Sequence, residues 1–441
     1  MSLTISVLAQ VLTSHPPPEQ HRGVALMAER PETSEPLRVA IIGAGLGGLT
    51  LAKALQTEAT AKKVQVRLYE AWDEWKVRGG SLGLAAGARI LQRLGLGKEL
   101  DAVSNQGQRM NYLAQGKKLS SLAVPGYFAM RTDLQRIVVE SLPADTIKLG
   151  HKLVDIAESE EGVQLSFENG ATDFADVVVA SDGIHSFVRQ KIFGADEPVF
   201  TGFRVLYSVS SKPIRPDPTV ANMHWVETAG TGYAILDVTA GQGEGRHDIC
   251  LIVLGSQEPV SDRWDSAIVR ERFAELAKNA APDHEVLARA VESADVCFDW
   301  GIYQQPTRPS WISAKGRVVL LGDAAHATAP FMGQGANMAM HDAWCLSRVL
   351  LHQELSLQES LRLYEVTRKA YCENVVSASS KIGQMHTATG LKALGRNYLL
   401  KPLLFRNLRN AFGVDPTERN PWEPEPSFFQ RLGLRLRALC A

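Results

Sequence analysis

The 441-residue sequence predicts an α/β fold: a unit of strands and helices, interrupted by an inserted antiparallel β-sheet domain and followed by a C-terminal helical segment. Three observations predict it. An apolar, branched run, Leu37-Arg38-Val39-Ala40-Ile41-Ile42, leads into the turn Gly43-Ala44-Gly45-Leu46-Gly47-Gly48 and a helical stretch from Leu49 to Leu55. Two later apolar runs end in short polar signatures: Val177 to Ala180 before Ser181-Asp182-Gly183, and Arg317 to Leu321 before Gly322-Asp323-Ala324-Ala325-His326. Between these, from Phe203 to Gly255, apolar and polar residues alternate in short segments split by Gly and Pro, as antiparallel strands do.

The first strand and its turn carry the residues that dinucleotide binding needs. Gly43 allows the tight turn, Gly45 removes a side chain that would block a pyrophosphate, and Gly48 lets the helix pack closely on the strand. The phosphates then face a helix N-terminus, whose first N–H groups have no intrahelical acceptor. A second strand, Val64 to Tyr69, ends in Glu70, which lies 70 − 48 = 22 residues past the last glycine and is placed to accept from an unphosphorylated ribose. The pattern predicts a Rossmann-like unit on a mixed sheet. Next come a glycine-rich loop from Gly79 to Leu84, helices from Ala86 to Leu94 and Arg131 to Leu142, and a β-rich stretch from His151 to Phe167. After the alternating segments, the chain continues with a polar helix from Ser261 to Lys278 and a return through Val296 to Tyr303. Helices from Asn337 to Leu351, Leu357 to about Gly390, and Leu391 to about Ala411 follow. The expected boundaries are 37–200 and 296–352 for a discontinuous nucleotide-binding domain, with 79–130 partly facing substrate, 201–295 for a substrate domain, and 353–441 for a C-terminal helical region. Residues 1–36 are expected to form a disordered N-terminal extension, and Met27 offers a second start.

With 45% hydrophobic and 22% charged residues, the composition is that of a soluble globular protein, and a net charge of −1 gives no field to draw nucleic acid. Five scattered cysteines, Cys250, Cys297, Cys345, Cys372 and Cys440, form no CxxC pair, which predicts thiols in a reducing, cytoplasmic setting. The histidines form no metal-binding pattern, so no metal is expected. No apolar run is long enough to span a bilayer. The runs Leu399 to Arg409 and Phe428 to Leu439 are amphipathic; packing against their own domain is the expectation, with peripheral membrane contact the minority reading.

Taken together, Gly43 to Gly48 with Glu70, Arg131-xx-Leu134, Asp182-Gly183 with Arg189, and Gly322 to His326 followed by Pro330 and Gly333-Gln334-Gly335-Ala336-Asn337 resemble the single-component FAD-dependent aromatic monooxygenases. That group includes para-hydroxybenzoate hydroxylase, the salicylate hydroxylases and the tetracycline-inactivating monooxygenases. The likeness spans about Leu37 to Leu351. It implies a Rossmann-like FAD-binding domain with bound FAD, NADPH or NADH as a transient co-substrate, and hydroxylation of an aromatic or polycyclic small molecule by dioxygen through a flavin C4a-hydroperoxide. By the same resemblance Gly43, Gly45, Gly48, Glu70, Arg131, Asp182, Asp323, Gly335, Ala336 and Asn337 bind the cofactor. Arg131 would reach its ribityl or phosphate region, and Asp323 its ribityl hydroxyls. Pro330, Gly333 and Gly335 form the loop beside the flavin ring that carries the chemistry, where backbone N–H groups and the positive end of the next helix would stabilise negative charge. No acid–base residue is assigned. The family often carries Glu-Asp in the following helix where this chain has His341-Asp342, a departure that bears on a surface or helix contact.

His326 is expected to make a structural hydrogen bond rather than act as a base. Trp225, Tyr233 and Phe203 are divided evenly between pocket lining and core, and Arg204 between meeting an acidic substrate and a rim position. Two rival readings stand beside the hydroxylase: a flavin-dependent reductase or dehydrogenase that inserts no oxygen, and a non-catalytic flavin-binding module. The protein is expected to be a monomer or homodimer.

Overall fold

The computed structural model describes residues 35–57, 63–75, 79–194, 196–228, 230–259, 263–264, 267–279 and 284–399. The N-terminal extension and the amphipathic runs beyond Leu399 lie outside the described residues.

Five strands pair in parallel, in the order Val318–Leu320, Val177–Ala180, Leu37–Ile42, Val64–Tyr69, Ile147–Lys148. The first three of these are branched, apolar and almost wholly buried, as strands covered on both faces are. Parallel pairing puts every C-terminal end at one edge. Ile42 lies beside Ala180 and Tyr69, and Ala180 beside Leu320. The three sequence signatures start at that edge, so segments far apart in the chain converge there.

A second sheet holds nine strands in the order Arg263–Trp264, Val296–Gln304, Val199–Ser210, His247–Gly255, Thr231–Ala240, Val220–Thr228, Ser104–Ala114, Lys117–Met130, Ser81–Leu84. Its joins are antiparallel except the one between Val220–Thr228 and Ser104–Ala114. Ser81–Leu84 is thus a strand where the glycines suggested a loop. The hairpin of Ser104–Ala114 and Lys117–Met130 was not foreseen, because its many polar residues dilute the alternation. Val296–Gln304, which the sequence grouped with the nucleotide-binding unit, pairs along its length with Val199–Ser210. A strand's apolar content does not name its partner.

Successive residues of these strands point to opposite faces. Leu206, Val226, Ile235 and Cys250 pack on one face with Phe273 and Val291, from the helices Ala267–Asn279 and His284–Glu292. Burying Phe273 completely is worth about 1.5–3 kcal/mol. Two helices therefore stand where one was expected. Tyr207, Trp225, Ala234 and Ile249 turn to the other face, with Met110 and Phe128. A three-stranded sheet, Leu153–Glu158, Val163–Phe167 and Thr172–Ala175, fills the predicted β-rich stretch.

Helix Gly335–Leu350 packs so closely on Leu46–Thr57 that a Cβ at Gly47 would sit 3.3 Å from that of Ala339. The thirty-residue helix Leu357–His386 begins in a capping box, with Ser356 Oγ accepting from Glu359 N at 3.3 Å and the Glu359 carboxylate from Ser356 N at 2.9 Å. Among the described residues, no helix is long and apolar enough to cross a membrane.

Candidate active site

The three glycines of the first turn are fixed by different forces. Gly43 sits at φ +100°, and a Cβ there would lie 2.6 Å from the Ser181 carbonyl oxygen, while one at Gly48 would collide with the Gly43 carbonyl oxygen. A Cβ at Gly45 would meet nothing within 4 Å, yet the residue lines a cavity of about 420 Å³. The outer glycines therefore answer to this chain's own packing, and the middle one to space for a ligand.

Glu70 braces the turn, its carboxylate accepting from Ala44 N at 2.9 Å and Trp72 N at 3.2 Å. Asp182 faces inward: it accepts from Ser186 Oγ at 2.5 Å and Val188 N at 3.1 Å at the start of helix Phe187–Phe193. Burial pushes its carboxyl pKa up. In this arrangement Gly183, not Asp182, lines the cavity. Arg189 is buried and donates to the carbonyls of Ala324 at 3.0 Å, Ala325 at 3.3 Å and Pro306 at 3.0 Å, which ties the Asp323–His326 turn in place.

Arg131, Asp323, Pro330, Gly333, Gly335, Ala336 and Asn337 line the same cavity as Gly45. Gly333 takes φ +62°, a left-handed turn that lets helix Gly335–Leu350 start at the cavity wall. Asn337 differs from the expectation, because its side-chain amide is fully engaged by protein. Oδ1 accepts from Ala85 N at 2.9 Å and Gly87 N at 3.0 Å, and Nδ2 donates to the carbonyls of Gly83 at 2.9 Å and Gly333 at 3.0 Å. The side chain clamps the loop to the Ser81–Leu84 strand, which leaves the backbone N–H as what it can offer a ligand.

Behind the turn lies a buried charge network that the sequence did not foresee. His326 Nε2 is 2.5 Å from Asp342 Oδ2, Arg368 Nε donates to Asp342 Oδ1 at 2.8 Å, and Gly322 N donates to Asp342 Oδ2 at 3.1 Å. The structural role expected of His326 is the one it plays. The His341-Asp342 departure is a core feature rather than a surface one, with both residues buried. Burial works against the Asp342 carboxylate, but the His326 and Arg368 cations hold it well below the usual carboxylate range. For His326, burial opposes the charged ring and is outweighed by Cys372 and Asp342, which raise it. Cys372 brings a third potential metal ligand within 4.8 Å of these two, but the Arg368 guanidinium already supplies the positive charge.

Opposite the turn, the nine-stranded sheet supplies Tyr112, Phe128, Tyr207, Met223 and Leu251 as a largely apolar wall. Tyr207 Oη accepts from Ser81 N at 2.6 Å and lies 3.0 Å from Ser81 Oγ, and burial pushes its pKa up to about 12. Of the two readings given to the aromatics named from sequence, the core one holds. Trp225 and Tyr233 lie in the packing on opposite faces of the sheet, and Phe203 packs edge-on against Phe331, centroids 5.1 Å apart. Arg204 is ion-paired with fully buried Asp299, which also accepts from Arg272 at 3.1 Å, and it does not line the cavity. Period-two patterning shows that faces alternate, not which face the cavity takes.

The long helix closes the far end. Ser379 Oγ donates to the Ala329 carbonyl at 2.6 Å, and a Cβ at Gly383 would collide with the Phe331 ring. His386, its last residue, lines the cavity and accepts at Nδ1 from Trp225 Nε1 at 2.8 Å. Burial, with Arg396 adding, pushes its imidazole down to about 4. No motif marks this histidine in the sequence.

Residues 36–379 match the family model described as FAD binding domain. A 3-amino-4-hydroxybenzoate 2-monooxygenase from Streptomyces cremeus is 31% identical over 349 residues, 75% of this chain and 83% of the relative. A 6-hydroxynicotinate 3-monooxygenase from Bordetella bronchiseptica is 28% identical over 371 residues, 78% and 90% of the two chains. The solved structure of Klebsiella pneumoniae HpxO complexed with FAD and uric acid shares the fold, with a TM-score of 0.74 at 20% identity over 85% of this chain and 96% of that one. The strand-end turns, the shared cavity and these likenesses lead to one conclusion: the chain belongs to the FAD-binding-domain family and is a FAD-dependent monooxygenase.

Proposed function

We propose that the protein hydroxylates a small aromatic or polycyclic molecule, with NADPH or NADH as electron donor and dioxygen as the source of the inserted oxygen. The observation that carries this reading is the cavity itself: one wall is made of three strand-end turns and a helix N-terminus, the other of an apolar sheet. The residues present fit FAD. Gly45 leaves the space a pyrophosphate needs, and Arg131 and Asp323 offer several donors and a carboxylate acceptor to phosphate and hydroxyl oxygens.

FAD held by these residues would supply the redox chemistry, the transfer of electrons from a nicotinamide to dioxygen that inserts one oxygen atom into the substrate. This chain's residues do the rest. The unpaired N–H groups at the start of helix Gly335–Leu350 favour negative charge beside the Pro330 to Gly335 loop. Phe331, Tyr112, Phe128 and Met223 exclude water and hold an aromatic ring against that loop. In this reading the parallel sheet and its turns form the FAD-binding unit and the nine-stranded sheet the substrate unit. Asp182 acts through the fold of its turn, and Glu70 through the Gly43 to Gly48 turn. The four buried thiols, Cys250, Cys297, Cys345 and Cys372, support a cytoplasmic setting.

The test is substrate-stimulated NAD(P)H oxidation under labelled dioxygen across a panel of phenols, quinolones and polycyclic ketones. The expected outcome is one product that gains a single labelled oxygen atom. A reduced product with no label would replace the hydroxylase by a reductase.

A further inference from the structure

The sheet wall of the cavity carries no charge. Among the described lining residues, the charged ones are Arg131 and Asp323, which begin a helix and a turn at the cofactor side. Arg204, for which an acidic substrate was one of two readings, is held by Asp299. Beside that wall, the end of helix Leu357–His386 offers His386. Trp225 Nε1 can only donate, so their 2.8 Å bond makes His386 Nδ1 the acceptor and puts the proton of the uncharged ring on Nε2. The two ring nitrogens point nearly opposite ways. Trp225 belongs to the core and does not line the cavity, whereas His386 does, and its Nε2–H, on the side of the ring away from Trp225, has no hydrogen-bond partner among the described residues. Phe331, 6.1 Å away between centroids, sets this donor against the loop of the cofactor site.

A carboxylate brought here would lose its water and touch no cation, because Arg396 lies behind Trp225, its guanidinium carbon 4.6 Å from that ring's centroid, and does not line the cavity, whereas a hydroxyl or ring carbonyl would gain a hydrogen bond. Relatives whose names carry a hydroxybenzoate and a hydroxynicotinate are named for acids. We propose, building on the monooxygenase reading, that His386 Nε2–H orients the substrate, and that the substrate is an uncharged aromatic carrying a hydroxyl or ring carbonyl. His386 is a binding and positioning residue: it fixes which ring carbon faces the flavin loop.

The test uses the FAD-loaded full chain, with perturbation of the flavin spectrum as the binding readout and three probes of one shape: 2-naphthol, 2-naphthoate and naphthalene. Naphthol is expected to bind about tenfold tighter than naphthalene, the worth of one such hydrogen bond, and naphthoate more weakly than naphthol by at least as much. His386→Leu should bring the naphthol to naphthalene ratio to about one. His386→Gln, whose amide can accept from Trp225 and still donate to the cavity, should restore most of it. If His386→Leu loses FAD or fails to fold, Trp225→Phe gives the same readout, since freeing Nδ1 unlocks the tautomer and should lower the ratio. A ratio unchanged in these variants, naphthoate binding as tightly as naphthol, or no binding by naphthol would each overturn the proposal. The hydroxylase reading can fail separately: naphthol bound as described, with no labelled oxygen in any product, removes that reading and leaves the binding assignment standing. Oxygen insertion into carboxylates alone would do the reverse.

Discussion

Asp342 is the hub of the buried charge network behind the turn. It takes four donors, from His326, Arg368, Gly322 and the Cys372 thiol, and removing its charge would leave two cationic side chains buried against each other. Breaking such a pair from one side costs about 3–5 kcal/mol, the expected loss in urea unfolding free energy for Asp342→Asn at pH 6. The sign of the pH dependence follows from the shifts. Asp342 is held below its ordinary 3.8, so its contribution is present above that value and is lost as the solution is acidified further. His326 is raised above its ordinary 6.5, so its contribution is present below 6.5 and is lost as pH climbs through the folded value. Stability from this network is therefore fullest between about 4 and 6.5, and unfolding curves of Asp342→Asn across pH 3 to 9 should be flatter on both sides. A variant with the parent's profile would show that the network does not couple to folding. The sequence showed the histidine and placed it in a structural role. It could not show that Asp342 and Arg368, from two helices, would meet it, because no pattern records a contact across elements.

At the scale of elements, the long helix Leu357–His386 shows how a legible element can have an illegible docking, with a large effect on the cavity. Its helical pattern and capping box were readable, since Ser356 and Glu359 sit at the required spacing. Its docking was not. Gly383 permits that docking by letting the helix backbone meet the Phe331 ring, which itself lines the cavity. Gly383→Ala should push Phe331 aside, raising KM for the aromatic substrate severalfold while FAD content stays near one per chain. Equal losses of FAD and substrate affinity would mean the helix supports the whole site rather than the substrate end. The strand Val296–Gln304 teaches the same lesson in the sheet: its apolar content was legible, its hydrogen-bond partner was not.

For the whole molecule, the cavity is lined by both sheets, so FAD bound there adds contacts to those that packing and the Asn337 hydrogen bonds already make between them. A ligand that binds the folded chain at a hundred times its Kd adds about 2.7 kcal/mol to stability. Saturating FAD is therefore expected to raise the melting temperature of the apoprotein by several degrees. Gly45→Val should abolish that rise while leaving the apoprotein's own melting temperature near the parent's, because the new side chain enters open space. An apoprotein that melts much lower would assign Gly45 to packing instead, as for Gly43 and Gly48.

The sequence by itself determined three apolar strands, the turns at their ends and hence the cofactor. Those features are local: a branched run, a glycine where the backbone must turn, an acidic strand end. Parallel pairing then forces such ends to one edge. Tertiary structure alone decided which aromatics face the cavity, that Asn337 clamps its loop to the Ser81–Leu84 strand, and that His386 lines the cavity with Nδ1 accepting from Trp225. These follow from packing between elements remote in the chain, where burial and a single hydrogen-bond partner choose the face and the tautomer.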